Sequence, residues 1–423
     1  MKICCAGCVP TAGKWCYNKN GCPYAFAFFI GRRKYCQGAL LLFFLMRRGG
    51  KNHFMQMTTQ ETRWNKKKIA LFSALAVLAV LGLVLITRSL GVGLRKAGVT
   101  HLRCTAVQDV TPFGQDLLYY DGTTLFCLNS KGNELWNYTL GSNARFDAGS
   151  RYVVAWAGSK LVILSRNGTA TYDSQLSEPI LFCRAGEKYV ALVLGQNVSP
   201  KLVVKDLQGI TVDSETTAYE DMIILDMGFF SSGEYLWTTC LDVYGSVPGT
   251  TLNTFKVAQM NTGEVSLGEN LIYRVLYSGT KLSVLSTRQL RQYDYRGTLD
   301  EASTRLVYGW QLIYDHVGSG EAQLLFGRAD QTDDMNALTD LRYLCGKEDK
   351  RFTLPNTCVG AAIYNNRVYA FSEKTLYRAD LGSQRFSAVN LGVGDGVTGY
   401  IGCLEGGVAL LASGMDVYAV TLP

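Results

Sequence analysis

The residues most able to do chemistry come first in the chain. Six of its 13 cysteines, Cys4, Cys5, Cys8, Cys16, Cys22 and Cys36, fall in the opening 36 positions. Cys5-x-x-Cys8 has the spacing at which two thiolates share one tetrahedral zinc. A second close pair should complete such a site, but Cys16 and Cys22 are six apart and Cys36 stands alone. Four carboxylates, Asp330, Asp333, Asp334 and Asp340, crowd a later segment, without the spacing or the glycine of a calcium loop. His316 is the one histidine well inside the long C-terminal part; His101 sits at its edge and His53 outside it. No His-Glu-x-x-His or Gly-x-Ser-x-Gly occurs. Gly394-x-Gly396-x-x-Gly399 matches a dinucleotide fingerprint by letter, yet no helix pattern follows it, and it reads as a loop between strands. These observations predict a protein that is not an enzyme, with no catalytic residue, no metal and no cofactor.

The elements that would position any site divide at one apolar stretch. Ile69 to Ile86 runs 18 residues without a charge. As a helix it is about 27 Å long, close to the thickness of a bilayer's hydrocarbon core. Lys66, Lys67 and Lys68 precede it and Arg88 follows. We read a single transmembrane helix over 69–87, a juxtamembrane segment at 57–68, and a folded domain over 95–423. The dense lysine triplet favours a cytoplasmic N-terminus, against Arg88, Arg95 and Lys96 on the far side. The large domain is then extracytoplasmic. Residues 1–56 read as a basic, Cys-rich tail or an over-extended start, since a chain beginning at Met55 or Met57 would be an ordinary signal-anchor protein. Residues 1–103 hold 17 Lys and Arg against one acid, Glu61, a net of +16; the remainder holds 25 against 34, a net of −9. The basic balance is therefore juxtamembrane, and the large domain lacks the basic face that nucleic-acid binding requires.

The large domain repeats itself. Apolar strands close on polar turns containing glycine: NSKG at 129–132, SRNG at 165–168, DLQG at 206–209, MNTG at 260–263 and DYRG at 294–297. Each unit adds a leading strand and a tight turn, which makes four strands. Leading strands start near Arg103, Asn143, Pro179, Met222, Asn270, Leu306, Asn356 and Val397. The last unit has room for three strands, and Ala97 to Arg103 can supply the fourth. Closing a ring this way removes its open edge. The expectation is an all-β, eight-bladed propeller, with a seven-bladed ring as rival because insertions near Ser246 and Asp330 blur the count.

NSKGNELW, with Trp136 four residues after Gly132, resembles the repeat of pyrroloquinoline-quinone-type propellers. That family's cofactor site uses a vicinal disulfide, and the only adjacent cysteines here, Cys4 and Cys5, lie outside the propeller. An anchor helix followed by a propeller is similar to a family of uncharacterised membrane-anchored propellers of Gram-positive bacteria. It also resembles the outer-membrane assembly lipoprotein, a scaffold, without that protein's lipid-attachment cysteine.

The reading that follows is a membrane-anchored scaffold binding envelope proteins or wall glycans, with contacts on the insertions Asp242–Thr254 and Arg328–Thr339. The alternative is a sensor that binds a small ligand or glycan in the central channel, where Arg184, Asp226 and Arg274 would stand near the axis. Cys104, Cys183 and Cys403 fall at similar places in leading strands and are expected as small packing residues with free thiols.

Overall fold

The computed structural model describes residues 97–423, apart from 231, 243, 245, 260, 269, 318–319 and 329–336. The expected tail, its cysteines and the expected membrane helix at 69–87 lie outside the described residues. Among the described residues no helix is long and apolar enough to cross a membrane.

Among the described residues, thirty-two strands form eight four-stranded antiparallel sheets. Blades 1 to 7 are β2–β5 (109–139), β6–β9 (145–175), β10–β13 (180–215), β14–β17 (222–268), β18–β21 (272–306), β22–β25 (310–358) and β26–β29 (360–390). Blade 8 joins β30–β32 (399–421) to β1 (Val99–Thr105), in the order β1-β32-β31-β30. The fold is thus an eight-bladed propeller, and the seven-bladed rival is excluded. The ring closes as the sequence suggests, with Val99 opposite Val420 and Thr100 opposite Ala419. Arg103 belongs to this closing strand, so the first blade's leading strand begins later, at Asp109.

Strand burial explains the sequence pattern. The middle strands of a blade are covered on both sides, so β7 (Tyr152–Ala157, YVVAWA) and β8 (Lys160–Ser165, KLVILS) are nearly continuous apolar runs. The outer strands β5 (Glu134–Thr139) and β9 (Ala170–Gln175) alternate exposed and half-buried. Eight apolar clusters fill the eight seams between blades. Val154 and Ile163 meet Val190 and Leu192 between blades 2 and 3. Leu102 and Cys104 meet Leu128 and Leu410 where the ring closes.

The glycine turns are built locally. Asn129 Oδ1 accepts from the Lys131 and Asn133 amides, while Gly132, at φ +79°, donates to the Asn129 carbonyl. Asp206–Gly209 and Asp294–Gly297 repeat that arrangement. MNTG does not. The blade 4 turn is Lys256–Gln259, with Ala258 at φ +60° held by Asp213 of blade 3, 2.7 Å away. Gly263 instead lies in β17 (Asn261–Gly268), where a Cβ would meet the Arg296 backbone of blade 5. The insertion at Asp242–Thr254 is shorter than expected, because β16 already starts at Gly249. Asp340 lies in β24 (Leu338–Cys345) and not in an acidic loop; Asp330, Asp333 and Asp334 fall outside the described residues. Gly394 and Gly396 lie in the connection between blades 7 and 8, and Gly399 opens β30 (Gly399–Leu404).

Candidate interaction face and central channel

Each blade contributes one innermost strand to the axis, and all eight run the same way. Their starts define one face, bearing the connections between blades and the turns between second and third strands. Five innermost strands carry a bulge near that face: β10 (Ile180–Ala185), β14 (Met222–Phe229), β18 (Ile272–Ser278), β22 (Trp310–His316) and β30. Bulges re-aim side chains. Here the extra residues include Leu181, Leu225 and Tyr273, and the latter two are exposed.

Around the axis, five consecutive innermost strands carry charges of alternating sign. They are Asp147 on β6 (Arg145–Ala148), Arg184, Asp226, Arg274 and Asp315. Arg184 donates through Nε and Nη2 to Asp226 Oδ1 at 3.1 and 2.8 Å, and its Nη1 is 3.7 Å from Asp147. Asp147 accepts the Ala185 amide at 2.8 Å. Arg274 pairs with Asp315 at 3.0 Å. So the structure brings Arg184 and Asp226 together and joins Arg274 to a different partner. Asp147 and Asp315 were not singled out from the sequence. A signal existed for the first: Asp147-Ala-Gly and Arg184-Ala-Gly occupy the same repeat position. Asp147 keeps some solvent access yet is crowded by protein, and burial pushes its carboxyl above the ordinary range despite the Ala185 amide and Arg184.

Two tyrosines lie on innermost strands beside these charges. Tyr314 donates to the Ile363 carbonyl at 3.0 Å, and Tyr400 stacks on Phe371, its hydroxyl buried with no hydrogen-bond partner among the described residues. Cys183 and Cys403 lie on innermost strands as expected, but Cys104 is on β1, the outermost strand of its blade. The seven cysteines of the described residues are all free. Burial pushes Cys127 and Cys358 up to about 12 and Cys403 to about 11. His316 is exposed at the end of β22, and exposed His101 lies 3.4 Å from Asp416. No cluster of three metal-ligating side chains occurs among the described residues.

Concavities open on the face where the innermost strands start. One, of about 540 Å³, spans blades 2 to 4 at the channel mouth, between Asn143, Arg145, Leu181 and Leu225. Another, of about 390 Å³, sits at the junction of blades 5 and 6, between Tyr308, Trp310, Arg351 and Asp340.

Exposed apolar side chains are unevenly placed. Twelve large ones occur among the described residues. Nine lie on this face; Leu135, Ile210 and Val317 lie elsewhere. Seven of the nine, Leu225, Tyr244, Val247, Leu271, Tyr273, Leu306 and Tyr308, form a crescent from blade 4 to the start of blade 6. Tyr244 and Val247 ride on the insertion after Asp242, and Tyr308 is 78% exposed. The second insertion, at 329–336, is outside the described residues.

Residues 99–305, from the closing strand through blade 5, match the model described as Family of unknown function (DUF5711). No curated protein matches the chain. Among solved structures, Sqt1 of Saccharomyces cerevisiae is similar at 11% identity and a TM-score of 0.51, over 78% of this chain and 98% of that one. BamB from Moraxella catarrhalis aligns at 12% identity and 0.46, over 77% and 99%. AztD from Citrobacter koseri aligns at 14% and 0.44, over 67% and 86%. The likeness to Sqt1 is one of fold.

Proposed function

We propose that this protein is a non-enzymatic, membrane-tethered interaction module whose propeller stands outside the cytoplasm and docks an envelope protein on the face where its innermost strands begin. One observation carries the reading: nine of the twelve exposed large apolar side chains among the described residues gather on that face. Contiguous exposed apolar surface marks a binding site, and tyrosine is enriched in such sites. The chain enters the ring at Val99, at the start of an outermost strand, and so on the opposite face. The alternative of a small ligand held by the channel charges draws less support, because Arg184, Asp226, Arg274 and Asp315 already satisfy one another.

The test is cross-linking and capture with a C-terminally tagged protein in its own cells, comparing wild type with Tyr244→Asp and Leu271→Asp. Both side chains are exposed, so thermal unfolding should stay unchanged while the captured partner is lost. Cross-links from the opposite face, or capture indifferent to both changes, would overturn the reading. Protease shaving of intact cells should remove the tag; protection would place the propeller in the cytoplasm.

A further inference from the structure

We infer that the concavity at the junction of blades 5 and 6 is a binding site for a carboxylate-bearing sugar unit, a hexuronate of an acidic glycan. This goes beyond protein docking, and its key residue, Arg351, lies outside the apolar crescent.

Trp310 opens β22 and carries two guanidinium groups near its ring, Arg342 at 6.0 Å and Arg351 at 5.8 Å. Their roles differ. Arg342 is nearly buried and fully engaged: Nε and Nη2 donate to Asp349 at 2.9 and 2.7 Å, and Nη1 donates to the Leu306 carbonyl at 2.7 Å. Arg351 is exposed and makes no hydrogen bond or ion pair among the described residues. It is a guanidinium positioned beside an indole with its donors unspent. A planar fork of this kind suits a carboxylate taken bidentately.

The other walls narrow the choice. Asp340 accepts from Thr353 at 3.1 Å and lies 3.8 Å from Arg328, which places a carboxylate acceptor and a hydroxyl within the same concavity. These groups match the hydroxyls of a sugar ring. At the rim, Tyr308 offers an exposed aromatic face, on which the C–H face of a sugar can stack. Gly309 beside it, at φ +78°, has open space where a Cβ would be. Inorganic phosphate would use Arg351 but has no C–H face to stack on Tyr308. A neutral sugar would leave the Arg351 fork unused. A volume of about 390 Å³ is at the small end of ligand pockets and suits one ring, not a folded segment.

The experiment titrates the full chain with trigalacturonate, in parallel with maltotriose, triglutamate and inorganic phosphate, by calorimetry and saturation-transfer NMR. Trigalacturonate should bind with a dissociation constant of about a millimolar or below, the range for a ligand gripped through one small ring. Arg351→Gln should weaken it about tenfold or more, and Arg351→Lys should recover only part of the loss. Tyr308→Ala should remove the transfer to the sugar's C–H protons. Because Arg351 is exposed and makes no hydrogen bond or ion pair among the described residues, Arg351→Gln should melt close to wild type, and Arg351→Lys, which keeps the charge near Trp310 and Asp349, provides a second folded variant. Triglutamate binding as tightly as trigalacturonate would mean charge alone is read, and would overturn the proposal. So would trigalacturonate binding that survives Arg351→Gln, or none at roughly ten times the expected constant. Tyr244→Asp should leave sugar binding intact, so failure of protein docking and failure of this site register separately.

Discussion

Substituting Gly168 tests whether the blades are locked together by side chains that cap a neighbour's turn. Gly168 sits at φ +79°, and a Cβ there would come within 2.6 Å of the Trp136 indole from the preceding blade. That indole also donates to the Arg166 carbonyl in the same turn, at 2.9 Å. Gly168→Ala therefore carries two costs. Holding an L-residue in the left-handed region costs about 1–2 kcal/mol. Forcing a methyl into a filled contact adds about 1–3 kcal/mol. Gly158, in the same blade at φ +61° with nothing near its absent Cβ, isolates the backbone share. Gly158→Ala should cost about 1–2 kcal/mol, and Gly168→Ala about 2–5 kcal/mol. In a Trp136→Ala background the cost of Gly168→Ala should fall to that of Gly158→Ala. Urea unfolding of the four variants gives the coupling directly. Equal costs for the two glycines, or no change when Trp136 is removed, would refute interblade docking.

Two further outcomes follow from the ring and its axis. Leu102, buried in the closing seam, should cost about 2–5 kcal/mol as Leu102→Ala, read by urea unfolding with earlier proteolysis near Val99; less than about 1 kcal/mol would mean the closing strand is dispensable. Arg184→Ala removes the cation between Asp147 and Asp226, and because these groups are about a third exposed the loss at pH 7 should be modest, about 1–2 kcal/mol. Asp147 already has a raised carboxyl, so the folded state holds its proton more tightly than the unfolded chain does. That contribution is full below the ordinary carboxyl pKa and fades as pH rises through the folded value. Without Arg184 the folded value climbs further, so the variant's deficit should shrink as pH falls from 7 toward 5. A deficit that stays constant over that interval in thermal melts would refute the assignment.

The propeller was legible because its signals are local. The turn at Asn129–Gly132 needs only an Asx side chain reaching two and four residues ahead and a glycine that accepts positive φ. The apolar middle strands announce burial on both sides, and the three-stranded last unit announces closure from Val99 to Thr105. Where a local signal was imitated, the reading slipped. MNTG has the letters of a turn, but Asp213 from another blade supports the turn at Ala258 and frees Gly263 for a strand.

The candidate sites were legible only in fragments. Arg184 and Asp226 could be assigned to leading strands, but not to each other, nor could Asp147 and Asp315 be given their places. Arg184 lies 42 residues from Asp226, and Arg351 lies 41 from Trp310. Such pairs meet only after sheets stack around an axis or a long side chain lies across its sheet. The gathering of exposed tyrosines and leucines on one face has the same origin. Successive turns of a blade alternate between faces, so neighbours in space are drawn from every second turn of different blades. The sequence by itself determined strands, turns and their eightfold repetition, because each is stabilised within a few residues. Which charges pair, which guanidinium lies against Trp310 and which face is sticky were decided by the tertiary structure, because burial and Coulomb contact depend on distance in space and not along the chain.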